Sequence, residues 1–178
     1  MTQRACVLLV RTVLSAFPLA ALLLACSAVP DNARIGINQP DRTQFEPVGN
    51  FLDHRCGSLD CHGSPQRNLV LWGCEGLRLD PMDVPGCRRM GGKDTTEAEL
   101  DASFRSLVGL EPAVMNQVVA DKGQHPELLT FVRKARGEES HKGGALIVPG
   151  DAQDTCITSW LADATSVSSC TQALQNTP

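Results

Sequence analysis

Cys56-Gly57-Ser58-Leu59-Asp60-Cys61-His62 sets two thiols at the ends of a short loop and an imidazole directly after the second. Covalent attachment of a c-type haem requires this order of groups. The thiols add across the two vinyl groups of the ring, and the adjacent His ligates the iron. The usual spacing leaves two residues between the cysteines, whereas here there are four, Gly57 to Asp60. Two other readings use the same residues. Cys56 and Cys61 can form a structural disulfide, leaving His62 an ordinary exposed residue. A zinc site of Cys56, Cys61 and His62 is the other, although no second Cys/His pair stands at finger-like spacing.

Which reading applies depends on the redox compartment, and the start of the chain bears on that. Arg4 and Arg11 precede or interrupt an apolar run that extends from Val13 to Ala25 and ends in Leu23-Leu24-Ala25-Cys26. This is the pattern of a secretory signal over residues 1–25 with cleavage before Cys26. Leu-Leu-Ala-Cys resembles the bacterial lipobox, in which that Cys becomes the lipidated first residue. Ser27, rather than Asp, follows it. With residues 1–25 removed, Lys+Arg falls from 16 to 14 against 20 acids, a net charge of −6. Such a balance argues against nucleic acid and against a polybasic hold on anionic lipid. No other long apolar run follows, so no further membrane span is expected.

Export makes the eight cysteines sortable. Cys6 leaves with the signal, Cys26 carries lipid, and Cys56 and Cys61 form the attachment pair. Cys74, Cys87, Cys156 and Cys170 remain, an even number in an oxidising compartment. Three connectivities are open to them. Short loops favour Cys74–Cys87 and Cys156–Cys170, each closing about a dozen residues and contributing about 3 kcal/mol in the loop-entropy account.

Residues 26–44, with Pro30, Gly36 and Pro40 and few large apolar groups, read as a flexible tether after the lipidated Cys26. Residues 45–178 form the domain. Glu46-Pro47 opens a first helix through Val48, Phe51, Leu52 and Arg55, which delivers Cys56. Residues 68–72 and 76–79 alternate weakly and suggest a small hairpin or extended flaps. Asp80 to Gly92 read as a loop held by Cys87. Thr96 and Glu99 make a capping box for a helix burying Leu100, Phe104, Leu107 and Val108. Pro112 starts another, with Val114, Met115, Val118 and Val119 inward and Gly123 as its stop. Pro126 to Arg136 predicts a third, burying Leu128, Leu129 and Val132. Asp151 or Asp154 caps a last helix with Cys156, Ile157, Trp160 and Leu161. The fold class is therefore mainly α, a single helical domain with long disulfide-bound loops.

Phe51-Leu52-Asp53-His54-Arg55-Cys56, the Cys-Gly-Ser-Leu-Asp-Cys-His-Gly run, His141-Lys142-Gly143-Gly144 and Val148-Pro149-Gly150-Asp151 together resemble small exported cytochrome c-like lipoproteins of bacteria over roughly residues 45–163. The resemblance implies one haem c, with Cys56 and Cys61 as thioether attachments and His62 as the proximal iron ligand. It implies attachment by lipid at the outer membrane, facing the periplasm, and a redox partner protein there. His141, placed before two glycines, is the candidate sixth ligand and Met115 the runner-up. Met82 and Met90 lie nearer the motif in sequence, and an open site is a further option. His54 reads as a surface residue and His125 as a helix-start residue. Arg133, Arg136 and Lys142 are candidate partners for the haem carboxylates. The function expected is electron transfer or service as a haem-bearing accessory in the cell envelope. A haemless, disulfide-stabilised binding or structural lipoprotein is the alternative. No Gly-x-Ser-x-Gly elbow or zinc-protease His pair is present, and the chain does not read as an enzyme.

Overall fold

Glu46 in the first turn and Pro47 near its start open helix α1, Glu46–Cys56, which buries Val48, Phe51, Leu52 and Asp53. The computed structural model describes residues 37–83 and 86–176; the expected signal, Cys26 and most of the tether lie outside them. Five more α-helices follow among the described residues: α2 Glu97–Val108, α3 Pro112–Ala120, α4 Thr130–Arg136, α5 Ala152–Leu161 and α6 Val167–Gln175. The mainly helical expectation holds. None of these helices is long and apolar enough to cross a membrane.

The capping box of α2 forms as the sequence indicates. Thr96 accepts from the Glu99 N–H, and the Glu99 carboxylate accepts from the Thr96 N–H at 2.8 Å. Glu99 also takes the Arg78 guanidinium at 2.8 Å, and both side chains are buried. Arg78 also donates to the carbonyls of Lys93 and Asp94, so every nitrogen of the guanidinium and both Glu99 oxygens are hydrogen-bonded, and the pair pins the disulfide loop to α2.

The single helix expected from Pro126 to Arg136 is split. Pro126–Leu128 is a 3-10 turn, the backbone is extended at Leu129, and α4 starts afresh at Thr130. The Glu111 carboxylate accepts from both the backbone N–H and the hydroxyl of Thr130, at 2.7 and 2.8 Å, serving as a cap from outside the helix. Leu128 consequently faces outward while Leu129 and Val132 are buried. Asp151 caps α5 through the Asp154 N–H, and Asp154 is free to take Arg136 in a two-pronged pair at 2.8 and 3.1 Å.

Helix α6 was not visible in the sequence pattern. Its inward residues are Cys170 and Ala173, too small to mark an apolar stripe, although Ser166 supplies an ordinary N-cap. The Cys156–Cys170 disulfide fastens α6 to α5, and Cys74–Cys87 closes the other short loop. Phe45, Phe104 and Trp160 form the aromatic centre of the core, with ring centroids 5.1–6.1 Å apart.

Two expectations are corrected. No strand occurs among the described residues, so residues 68–72 and 76–79 make no hairpin. The N–H groups of Val70 and Trp72 bond instead to the hydroxyls of Ser106 and Ser103 on α2, each at 2.8 Å, which satisfies them without a partner strand. The tether is also shorter than expected. Asn38 bonds Asn116, Arg42 pairs with Glu97 and Asp101, and the Trp160 indole donates to the Asp41 carbonyl at 3.3 Å. Packing on the body thus begins well before residue 45.

Candidate functional site

The residues from Cys56 to Gly63 fold into a tight coil at the end of α1. The His62 N–H returns to the Cys56 carbonyl at 2.9 Å, and the N–H groups of Cys61 and Gly63 both bond the Ser58 carbonyl. A Cβ at Gly63 would overlap the Gly57 carbonyl oxygen, so only glycine lets the loop close this tightly. Four residues between the cysteines therefore make a compact turn rather than an open arm.

Beside this coil lies a cavity of about 550 Å³, within the range of ~300–1,000 Å³ usual for cofactor and ligand sites. Leu52, Leu69, Leu71, Leu107, Phe131 and Ile157 supply much of its apolar wall, drawn from α1, the 69–71 segment, α2, α4 and α5. Cys56, His62 and His141 all line it. The two imidazoles come from distant parts of the chain, yet their ring centroids are 5.8 Å apart and their planes within 14° of parallel.

His62 is held by its other nitrogen. Its Nδ1 lies 3.1 Å from the Leu69 carbonyl, which can only accept, so Nδ1 carries the proton and Nε2 keeps its lone pair. Burial lowers the His62 pKa, with the charges of His141 and Arg67 acting in the same direction against the Leu69 bond. The ring is neutral at neutral pH, as a metal ligand must be. His141 contrasts with it. Its Nδ1 is buried with no hydrogen-bond partner among the described residues. Gly143 packs against that ring, where a Cβ would come within 3.0 Å of Cε1.

Cys56 and Cys61 are not bonded to each other or to another cysteine. Burial pushes the Cys56 thiol up to about 12, with Arg55 pulling the other way, so it is a thiol at neutral pH. Cys61 is exposed and does not line the cavity, and its carbonyl accepts from Arg67 Nε at 3.1 Å.

The methionines stand elsewhere. Met115 is buried in the core and absent from the cavity wall, and Met82 and Met90 are exposed. His54, expected at the surface, is largely buried and pairs with Glu75 at 2.9 Å. His125 does sit at the start of the 3-10 turn, with Nδ1 3.0 Å from Glu127. The expected carboxylate partners are committed to other groups: Arg133 to Glu139 and the carbonyls of Glu127 and Leu128, and Arg136 to Asp154. Lys142 does not line the cavity, whereas Arg67 and Lys134 do. Arg67 follows the motif by five residues and was overlooked; its basic charge close to His62 is the signal that marks it.

No family model, curated protein or solved structure matches this chain. The case for the site rests on its own geometry. Among the described residues, one trio of side chains brings metal-binding atoms within 4.8 Å of one another, Cys74, Glu75 and Cys87, and two of these are joined as a disulfide. A zinc centre at Cys56, Cys61 and His62 gains no support from this. The cavity has other properties. Two imidazoles on one cavity wall, one with its metal-binding lone pair oriented by a carbonyl, and a broad apolar lining suit a flat, largely apolar, iron-bearing ring. Of Cys56, Cys61, His62 and His141, only Cys61 stands apart from that arrangement, as an exposed residue outside the wall.

Proposed function

We propose that this chain is a monohaem c-type protein of the cell envelope that transfers electrons or serves as a haem-bearing accessory. The observation that carries the reading is the approach of His62 and His141, with near-parallel rings 5.8 Å apart on the wall of an apolar cavity that also includes Cys56. In this reading Cys56 and Cys61 would hold the ring by thioethers, and His62 and His141 would ligate its iron. Haem when bound supplies one-electron chemistry, and two protein ligands favour electron transfer over activation of small molecules.

The chain's own residues do the rest. The Leu69 carbonyl fixes the tautomer and orientation of His62. Leu52, Leu71, Leu107 and Ile157 keep water from the ring face, and Arg67 and Lys134 supply positive charge on the cavity wall. The proposal retains Cys26 as a lipid anchor, outer-membrane attachment facing the periplasm, and an electron-exchange partner protein there.

The test is a visible spectrum of the protein made in a host with cytochrome c maturation. A Soret band that survives denaturation and acid-acetone extraction is expected. Colourless protein from that host overturns the reading and leaves a haemless module, braced by its two disulfides, as the account of the cavity. An intact Cys56–Cys61 disulfide in the purified product has the same consequence, since it excludes two thioethers.

A further inference from the structure

The two imidazoles of the cavity are supported very differently, and we propose that His141 is a displaceable iron ligand while His62 is the fixed one, so that the cavity admits a small exogenous iron ligand such as carbon monoxide or cyanide. This inference rests on the haem reading above and extends it to a second capacity of the same site.

His62 is immobilised through side chain and backbone together. Nδ1 donates to the Leu69 carbonyl, the backbone N–H bonds Cys56, and the His62 carbonyl accepts from the Leu71 N–H at 2.8 Å. Gly63, immediately after it, is wedged against the Gly57 carbonyl and Gly76. Moving this ring requires unwinding the whole coil.

His141 lacks both the ring hydrogen bond and the close-packed coil. Ligating histidines almost always donate their second ring nitrogen to an acceptor, and loss of such a partner typically lowers metal affinity about 10–100-fold. With Nε2 as the ligating atom, as for His62, the second nitrogen of His141 is Nδ1, and it is buried without a partner among the described residues. The segment that carries it is tied at its ends, by Glu138 N–H to the Arg133 carbonyl and by Leu146 and Ile147 N–H to the Ala135 carbonyl. Between these ties the backbone makes the local turn from Gly144 N–H to the His141 carbonyl at 3.0 Å, and Arg133 and Lys134 pair with Glu139 at 3.2 Å. Residues 142–145 are exposed, so the loop that bears the ring is covered by solvent rather than by a packed element. The loop that carries the ring belongs to no helix.

The geometry therefore assigns unequal roles to two residues that are chemically identical. A ligand held against an unsatisfied N–H is released more readily than one held by a bonded N–H, and the vacated space lies beside the apolar side chains of Leu52, Leu107 and Ile157, where a diatomic ligand fits.

The experiment uses the full haem-loaded chain, reduced anaerobically and mixed with carbon monoxide, with His141→Ala as the comparison. Wild type is expected to form a carbon monoxide complex at a rate that levels off with gas concentration, because departure of His141 becomes limiting. H141A is expected to start with an open position and to bind faster, at a rate that rises in proportion to gas concentration without levelling. Resonance Raman of the unliganded ferrous proteins provides a second readout, six-coordinate for wild type and five-coordinate for the variant. Wild-type protein that carries covalent haem and does not bind carbon monoxide overturns the inference and leaves the haem reading standing. Identical spectra and kinetics in the two proteins also overturn it, by removing His141 from the iron. Colourless protein overturns both.

Discussion

Asp53 is a buried carboxylate one turn before the attachment coil, and it joins three parts of the molecule. Its Oδ2 accepts from the Cys74 N–H at 2.9 Å and the Thr95 hydroxyl at 2.8 Å, and the residue is 3% exposed. Burial raises its pKa to about 6, although the hydrogen bonds from Thr95, Glu75 and Cys74 oppose the rise. The ordinary value is 3.8, so the folded chain holds this proton more tightly than the unfolded chain. For this group stability is greatest below about pH 4 and falls as pH rises towards about 6, by about 3 kcal/mol in all. Asp53→Asn is expected to remove that slope. Urea unfolding midpoints of wild type and D53N, measured at intervals from pH 4 to pH 7, should diverge across this window; parallel curves would contradict the assignment. No sequence signal picked out Asp53, because its burial depends on Gly57 and Gly73 both lying against the carboxylate.

At the scale of elements, local chemistry was the most legible. The capping box at Thr96 and Glu99, the proline start of α3 and the Asp151 cap all depend on residues within one turn, and all are present. What escaped the sequence depends on distant partners. The split at Leu129 comes from Glu111, 19 residues before Thr130 in the chain, and the missing hairpin from two serines on α2. Helix α6 escaped because a disulfide replaces the apolar stripe that would have announced it. That substitution has a measurable consequence. Both sulfurs of Cys156–Cys170 are in fully buried residues, and replacing the pair by serine should cost about 3 kcal/mol from loop entropy alone. The loss should appear first as early melting of α6 in hydrogen exchange, with the core around Phe104 still protected. Simultaneous loss of protection across both would indicate that α6 is integral to one cooperative unit.

On the scale of the whole molecule, the cavity was half legible. The motif from Cys56 to His62 and the candidate His141 were readable as residue types in order, but their meeting depends on α4, α5 and the 137–147 segment packing as they do. The wrong carboxylate partners were named for the same reason. Arg133 and Arg136 sit in the last turn of α4, where the carbonyls and Asp154 claim them, and a charge count along the chain does not register such competition.

The loop closed by Cys74 and Cys87 carries a consequence for the chain's integrity as a covalent object. Residues 79–82 are exposed, whereas Arg78 just before them is anchored to Glu99 and the disulfide spans the whole loop. A protease that cuts within 79–82 would therefore divide the polypeptide without dividing the molecule. The nicked protein should run as one band without reductant and as two with it, while keeping its helical circular dichroism. Loss of that signal on nicking would mean that the continuity of this loop, and not its crosslink, holds the two parts together. If the cut is tolerated, the same four residues mark where an affinity tag or a fluorophore-bearing insert can be placed far along the chain from both histidines.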